Sequence, residues 1–179
     1  SEDKKILSTV KNDLLYKNKE SNNEIFDLKD NVIDEILTFE EKDILKYLVH
    51  RYRYEIFPIK KIIDDYPPYL QIEPSSICNY RCTFCFMTDK SLTDKKNGHM
   101  GQMNLELFKK IIDAAENRVE FISLASRGEP MACKEISKML EYTVGKFLNL
   151  KINTNASLLN EENIHAILSG GVKTLVISA

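Results

Sequence analysis

The stretch Tyr69–Cys85, YLQIEPSSICNYRCTFC, decides the interpretation of the second half of the chain. Its first five residues, YLQIE, alternate apolar and polar side chains, a pattern that predicts a β-strand. Cys78, Cys82 and Cys85 follow in a Cys-x3-Cys-x2-Cys run. In α/β folds, ligands bind beyond the carboxyl ends of the parallel strands. The three thiols are therefore expected at a ligand-binding edge of a sheet.

The cysteine spacing favours an iron–sulfur cluster that keeps one iron open. A fully closed four-iron cluster takes one cysteine for each iron, so three cysteines leave one iron for a non-protein ligand. An open coordination position is typical of catalytic metal sites. The alternatives are free buried cysteines and a zinc site, for which His99 and Cys133 are the candidate fourth ligands. Neither has the spacing of a zinc finger, and we favour the cluster.

Downstream of Pro67-Pro68, which forces an extended backbone, apolar runs alternate with amphipathic segments. Asn104 and Asn160 are predicted to be helix N-caps. Residues 88–103 are predicted to form a polar, mobile loop. In the first predicted helix, the side chains expected to face inward are Leu107, Ile111, Ile112 and Ala115. The predicted strands span 69–73, 119–125, 150–154 and 172–178, and the predicted helices 104–117, 135–148 and 160–169. This alternation predicts an α/β fold with a parallel sheet and helical crossovers.

Residues 1–67 are predicted to form a helical N-terminal extension, and residues 68–179 an incomplete α/β core that is truncated after its fourth strand. Thr38 and Glu41 match a capping box, with Thr38 as the N-cap of a helix. The apolar strand pattern at 172–178 is the last segment of the sequence. An uncovered hydrophobic strand is prone to aggregate, so we expect the chain to be the N-terminal piece of a longer protein.

Composition excludes several classes of protein. Of 179 residues, 43% are hydrophobic and 29% charged, which is ordinary for a globular domain. The net charge of −2 argues against a general nucleic-acid binder. No apolar stretch predicts a membrane span, and the charged N-terminus is not a secretory signal. The odd cluster of thiols argues against disulfides and favours a reducing cytoplasm.

The cysteine run, with Phe84 before its last cysteine, resembles that of the radical S-adenosylmethionine (SAM) superfamily. The resemblance implies that Cys78, Cys82 and Cys85 hold a [4Fe-4S] cluster whose open iron chelates the amino and carboxylate groups of SAM. In that family, an electron from the cluster splits SAM into methionine and a 5′-deoxyadenosyl radical, which abstracts hydrogen from the substrate. Phe84 would help to hold the adenine. The implied fold is a partial (β/α) barrel of about four βα units out of six.

A second motif, Gly128-Glu129-Pro130, follows the second predicted strand. It resembles the family's glycine-rich segment that binds the amino group of SAM. Glycine permits close backbone approach, and an ammonium group needs a carbonyl or carboxylate acceptor. Ser126 and Arg127 stand where the family commonly has glycines.

A third motif, Asn153-Thr154-Asn155, ends the third predicted strand and resembles the Thr-Asn-Gly segment of many family members. The resemblance implies that Asn153 and Asn155 reach the ribose or carboxylate of SAM. The alternative is an ordinary Asx turn at a strand end. Ser178, at the end of the fourth predicted strand, lies where the family often has a serine that contacts SAM.

The resemblance therefore implies an enzyme that cleaves SAM and abstracts hydrogen from a peptide, a protein or a small metabolite. It is most like the branch that often carries a C-terminal SPASM or twitch extension. A flavodoxin or a ferredoxin is the implied reductant, and no side chain is assigned a catalytic role. Two alternatives stay open: a non-catalytic module or inactive fragment that keeps the cluster or SAM site, and a structural zinc domain.

Overall fold

The computed structural model describes residues 2–16 and 25–178, apart from the side chain of Lys95. The chain divides into two compact units, Ser1–Pro68 and Tyr69–Ala179. The described part of the first unit is helical, and the predicted helical content of residues 17–24 lies outside the described residues. The helices of the first unit are α1 (Glu2–Leu15), α2 (Asp30–Ile36) and α3 (Glu41–Ile59).

The core of the first unit lies between α1 and α3. Both helices are amphipathic, and their apolar stripes meet, as expected for surface helices that bury one face. Phe26, in the segment before α2, is fully buried in the same cluster, and its backbone N–H donates to the carboxylate of Asp13 at 3.1 Å. The buried members of the cluster are Ile6, Val10, Phe26, Val49, Tyr52, Ile56 and Phe57.

The predicted capping box at Thr38 is wrong. The N-cap residue of α3 is Glu40, and its side chain makes no capping hydrogen bond. The Thr38 hydroxyl instead donates to the carbonyl oxygen of Glu35 at 2.7 Å, in the turn that ends α2. Helix α3 begins at Glu41, two residues later than a capping box at Thr38 requires, so Thr38 lies in the turn before the helix.

The second unit contains a parallel sheet of four strands in the order β1-β2-β3-β4. Because parallel crossovers are right-handed, this sequential order places the connecting helices on one face of the sheet, as in a (β/α) barrel. The predicted α/β fold is therefore confirmed. The strands are β1 (Tyr69–Ile72), β2 (Phe121–Leu124), β3 (Asn149–Thr154) and β4 (Val172–Ile177), and the helices are α4 (Lys90–Thr93), α5 (Leu105–Ala115), α6 (Ile136–Thr143) and α7 (Glu161–Ser169).

The two faces of this sheet differ in chemistry. Ile72, Leu124 and Ile152 occupy neighbouring register positions and are buried. One residue earlier, on the opposite face, the row is Gln71, Ser123 and Lys151, all polar. Successive strand residues point to opposite faces, so near the carboxyl ends of these three strands one face is apolar and the other is polar.

Local signals placed the helix starts correctly, and both predicted asparagine caps are confirmed. Asn104 accepts a hydrogen bond from the Leu107 N–H, and Asn160 accepts one from the Asn163 N–H, each at 2.8 Å. Helix α6 is shorter than predicted, because the backbone turns at Val144 and Gly145 adopts a φ of +72°.

Two other predictions for this unit are corrected. Leu107 was expected to face inward, but it is exposed, and Phe108 is buried in line with Ile112 and Ala115. The segment 88–103 is not a plain loop: it contains α4, and 3-10 turns span Phe86–Thr88 and Lys95–Asn97. Asp89 caps α4 by accepting a hydrogen bond from the Ser91 N–H at 2.8 Å.

In the described part of the chain, every helix is too short or too polar to cross a membrane.

His50 provides a test of the packing of the first unit. Burial, then the nearby Arg51 charge, lowers the pKa of His50 to about 4, although a backbone hydrogen bond to Pro68 opposes the shift. The unfolded chain takes up this proton near pH 6.5, while the folded chain stays neutral until about pH 4. Stability should therefore fall as the pH drops through this window, by about 2 kcal/mol between pH 7 and pH 5 from this group alone.

Urea denaturation at both pH values measures this effect. His50→Gln should weaken the pH dependence, because it removes the titrating imidazole. An unaltered pH dependence in His50→Gln contradicts the burial of a neutral imidazole.

Candidate functional site

The cysteine loop begins where β1 ends, and its two ends are hydrogen-bonded to each other. Ser75 and Gln102 form an isolated antiparallel bridge. The Ser76 N–H donates to the carbonyl of Gly101 at 3.0 Å, and the Gly101 N–H donates to the Ser76 hydroxyl oxygen at 2.7 Å. These contacts close the base of the segment 77–100, which carries the three clustered cysteines, and hold it at the carboxyl edge of the sheet.

Cys78, Cys82 and Cys85 are free thiols and half-buried. A turn links the last two, with the Cys85 N–H donating to the Cys82 carbonyl at 3.0 Å. Across the described residues, no three side chains of the types His, Cys, Asp and Glu lie close enough to hold a metal ion. The loop thus carries three thiols on one short segment, but their sulfur atoms are not close enough together to hold a metal ion.

Glu129 connects three separate segments through its side chain and its backbone. Its side chain is buried, at 2% exposure. Oε1 accepts hydrogen bonds from the Thr154 hydroxyl at 2.6 Å and the Met131 N–H at 3.1 Å, and Oε2 accepts one from the Asn155 N–H at 2.8 Å. The Glu129 N–H donates to the carbonyl of Ile77, directly before the first cysteine, at 2.8 Å. Glu129 therefore joins the end of β3, its own loop and the start of the cysteine loop.

The turn before Glu129 has an unusual backbone. Ser126 has a φ of +111° and Gly128 a φ of +67°, both in the left-handed region. A Cβ atom at position 128 would overlap the carbonyl oxygen of Ser75 and lie 2.7 Å from the carbonyl carbon of Ser76. Position 128 therefore requires glycine for two reasons, its φ angle and the close approach of another backbone segment.

Arg127 and Glu73 form a bidentate ion pair between the ends of β1 and β2. Nη2 of Arg127 donates to Oε1 of Glu73 at 2.8 Å, and Nε donates to Oε2 at 3.0 Å. The backbone N–H of Arg127 also donates to Oε2 at 3.0 Å. Hydrogen bonding to Glu73 raises the pKa of Arg127. A bidentate pair of this kind fixes the relative orientation of its two side chains. Glu73 therefore holds the turn that contains Ser126 and Gly128 in place.

Asn155 reaches the cysteine loop rather than an open cavity. Its Nδ2 donates to the Sγ of Cys78 at 3.8 Å and to the Oδ1 of Asn79 at 3.1 Å. Its Oδ1 accepts hydrogen bonds from the backbone N–H and the hydroxyl of Ser157, at 3.0 and 2.7 Å. This second pair is the Asx turn that strand-end asparagines commonly make.

Asn153 and Ser178 lie at the same edge of the sheet. The Oδ1 atom of Asn153 is buried and has no hydrogen-bond partner among the described residues. The Ser178 N–H donates to the carbonyl of Thr154 at 2.9 Å, so the end of β4 stays in register with β3, and the Ser178 side chain is exposed. Buried amide oxygens are normally paired, so the Oδ1 of Asn153 is an acceptor available to a hydrogen-bond donor.

The other candidate residues lie in different surroundings. Phe84 is 90% exposed on the cysteine loop, and Pro130 is buried at the start of a 3-10 turn, Pro130–Ala132. Cys133 is buried, and burial raises the pKa of its thiol. His99 is exposed. The structure thus groups Gly128, Glu129, Asn155 and Cys78, and leaves Phe84 in solvent.

Glu73, Asn79 and Ser157 have roles that sequence reasoning did not find. Asn79 donates to the Ser157 hydroxyl at 2.7 Å and accepts from Asn155, which completes a small polar network. For Glu73 a signal existed, since opposite charges follow two strands that a parallel sheet places side by side. For Asn79 and Ser157 no sequence signal distinguished them from ordinary polar loop residues.

The Radical SAM superfamily model matches residues 72–179. The chain belongs to the radical SAM superfamily. Over 112 residues, it is 31% identical to the tungsten-containing aldehyde ferredoxin oxidoreductase cofactor-modifying protein of Pyrococcus furiosus (strain ATCC 43587 / DSM 3638 / JCM 8422 / Vc1). That alignment covers 62% of this chain and 30% of the relative.

Two solved radical SAM structures share the fold. The crystal structure of BtrN in complex with AdoMet and 2-DOIA has a TM-score of 0.54 at 22% identity, covering 64% of this chain and 46% of that one. Streptococcus suis SuiB bound to S-adenosylmethionine has a TM-score of 0.53 at 22% identity, covering 98% of this chain and 36% of that one. The chain therefore spans less than half the length of these proteins, and at these identities the likeness shows the fold alone.

The turn at Gly128 allows a matched comparison. Gly128→Ala adds both left-handed strain and a collision with the backbone of Ser75 and Ser76, so we expect it to destabilise the unit by about 2–4 kcal/mol. Gly145→Ala adds similar strain at a φ of +72°, but its Cβ would meet none of the described atoms within 4 Å, so about 1 kcal/mol is expected. Thermal or urea unfolding measures both variants, and equal losses contradict the close approach at position 128.

Proposed function

We propose that this chain provides the cluster-binding and SAM-binding part of a radical SAM enzyme. The observation that carries the proposal is the hydrogen-bonded junction at the carboxyl edge of the sheet. There Glu129 and Asn155 join the cysteine loop, the Gly-Glu-Pro turn and the end of β3. Such edges are where α/β folds bind ligands. When bound, a [4Fe-4S] cluster would supply the electron that splits SAM.

Cys78, Cys82 and Cys85 are the proposed cluster ligands. Thiolates are the usual ligands of such clusters, and all three are free on one loop whose base is held by hydrogen bonds. Cys133 does not fit as a fourth ligand, since its thiol is buried and points a weak hydrogen bond at the carbonyl of Met103, 3.9 Å away. Metal binding commonly orders such loops, so binding of the cluster would bring the three sulfur atoms together.

The contacts of Glu129 refine the proposed SAM site. Because its carboxylate already accepts three hydrogen bonds, its role is to hold the turn, and the ammonium of SAM would be received by backbone carbonyls beside Gly128 and Pro130. The unpartnered Oδ1 of Asn153 is an acceptor, which suits a ribose hydroxyl better than a carboxylate. Phe84 would move from solvent to cover the adenine, and Ser178 would contact SAM from β4.

The substrate and partners of the whole protein are proposed more broadly. SuiB has been crystallised bound to precursor peptide SuiA, and BtrN with AdoMet and 2-DOIA. On this basis, a peptide, a protein or a small metabolite is the proposed class of substrate, and a flavodoxin or ferredoxin the reductant. We assign residues 1–67 as a helical extension and 68–179 as part of the barrel core. The three free thiols of the cysteine loop suit a reducing cytoplasm.

Anaerobic reconstitution with iron and sulfide tests the proposal. We expect about four irons per chain, and formation of 5′-deoxyadenosine and methionine from SAM after reduction with dithionite. Each substitution Cys78→Ala, Cys82→Ala and Cys85→Ala should abolish cluster uptake, whereas Cys133→Ala should retain it. A single bound zinc and no iron would support a structural zinc domain. A bound cluster without SAM cleavage would support a non-catalytic module.

The Arg127–Glu73 pair should contribute to SAM affinity through the turn that it holds. Loss of a partly exposed bidentate pair costs about 1 kcal/mol, so Arg127→Gln and Glu73→Gln should each weaken SAM binding roughly fivefold. The double variant should lose no more than either single variant, because both remove one interaction. Equilibrium dialysis of the reconstituted protein measures the affinity. Lys138→Gln, which removes an exposed cation paired with Glu135, is the control, and an equal loss in that variant would contradict a specific role for Arg127.

A further inference from the structure

The orientation of the Asn155 side chain is determined by its neighbours. Its Oδ1 accepts two hydrogen bonds from Ser157, one from the backbone N–H and one from the hydroxyl. A backbone N–H can only donate, so the oxygen must face Ser157 and the amide N–H2 must face the other way. On that side lie the Sγ of Cys78 at 3.8 Å and the Oδ1 of Asn79 at 3.1 Å. One N–H group is therefore directed at a cysteine sulfur.

The backbone that carries Asn155 is held as well. Its N–H donates to the buried carboxylate of Glu129 at 2.8 Å. The next residue, Ala156, has a φ of +61°, and its N–H donates to the Thr154 hydroxyl oxygen at 3.0 Å. With main chain and side chain both fixed, the amide reaches Cys78 at little cost in conformational entropy.

Cys78 is the only one of the three clustered cysteines for which the described residues show hydrogen bonds to sulfur. The backbone N–H of Tyr80 also donates to its Sγ, at 3.4 Å. The carbonyl of Cys78 accepts a hydrogen bond from Arg81 at 2.7 Å, which keeps this arm of the loop in place. The sulfur of Cys78 thus differs electrostatically from those of Cys82 and Cys85.

We propose that Asn155 is a positioning residue that raises the reduction potential of the cluster through its N–H···S hydrogen bond to Cys78. The inference rests on the proposed function, in which Cys78 is a cluster ligand. It also changes the role of Asn155 from a SAM contact to a partner of a ligand sulfur. Partners of metal ligands orient those ligands and tune the metal.

The direction of the effect follows from charge. Reduction adds one electron, from an external low-potential donor such as dithionite, and no bond forms or breaks. Part of the added negative charge falls on the ligand sulfurs, so an N–H donor stabilises the reduced state more than the oxidised state. Removing the donor should therefore make the cluster harder to reduce.

The test is a redox titration of the reconstituted full chain with dithionite and mediator dyes, followed by electron paramagnetic resonance. Asn155→Ala removes the donor and should shift the midpoint potential to a more negative value. Asn155→Asp keeps the size of the side chain and the acceptor for Ser157, but replaces the donor with a negative charge, so it should shift the potential further in the same direction. Asn163→Ala is the control: it truncates the same residue type in α7, where the side chain donates to the carbonyl of Leu158 rather than to Cys78, and its potential should equal that of the wild type.

The outcomes separate this inference from the proposed function. Wild-type protein that takes up no iron–sulfur cluster overturns both. A wild-type cluster whose potential is unchanged in Asn155→Ala and Asn155→Asp overturns the tuning role alone, as does an equal shift in Asn163→Ala. If Asn155→Ala does not retain the cluster, the isosteric Asn155→Asp decides the question. The iron content of each variant, measured beside the potential, separates a tuned cluster from a lost one.

Discussion

The junction at the carboxyl edge of the sheet depends on one buried negative charge. A carboxylate removed from water is costly unless donors satisfy it, and Glu129 is satisfied by Met131, Thr154 and Asn155. These donors come from its own loop and from the end of β3, and the Glu129 backbone binds the carbonyl of Ile77. Satisfying the carboxylate holds the Glu129 loop against the end of β3, and the backbone hydrogen bond adds the start of the cysteine loop to the same arrangement.

The surrounding contacts make this arrangement possible. Gly128 lets the turn approach the backbone of Ser75 and Ser76, which a side chain would prevent. Arg127 stands where the family commonly has glycine, and Glu73 compensates by binding its guanidinium and its backbone N–H. Arginine in place of glycine at position 127 is thus accompanied by an acidic partner, Glu73, directly after the neighbouring strand β1. The strained backbone of Ser126 directly precedes these two constrained residues, and such strain is common near functional sites.

The sequence predicted correctly those parts of the fold that depend on interactions between residues close together in the chain. Strand β1 follows from alternating apolar and polar residues, and the other strands follow from short apolar runs. The starts of α5 and α7 follow from asparagine side chains that accept a hydrogen bond from a backbone N–H three residues ahead. The same logic was wrong at Thr38, because α3 begins only at Glu41 and leaves Thr38 in the turn that ends α2. It was also wrong at Leu107, because helical spacing permitted two neighbouring stripes and only packing selected the one with Phe108.

For this protein, the sequence by itself determined the family, the parallel α/β order and the three motifs of the candidate site, because each is a short pattern of residue types. Only the tertiary structure decided the work of each side chain: Glu129 as a buried connector, Glu73 as the partner of Arg127, and Asn155 as the neighbour of Cys78. These pairs are separated by 25 to 77 positions in the chain. Strand order brings their segments to one edge, but the distances and the competition between donors at that edge are set only when the whole unit packs.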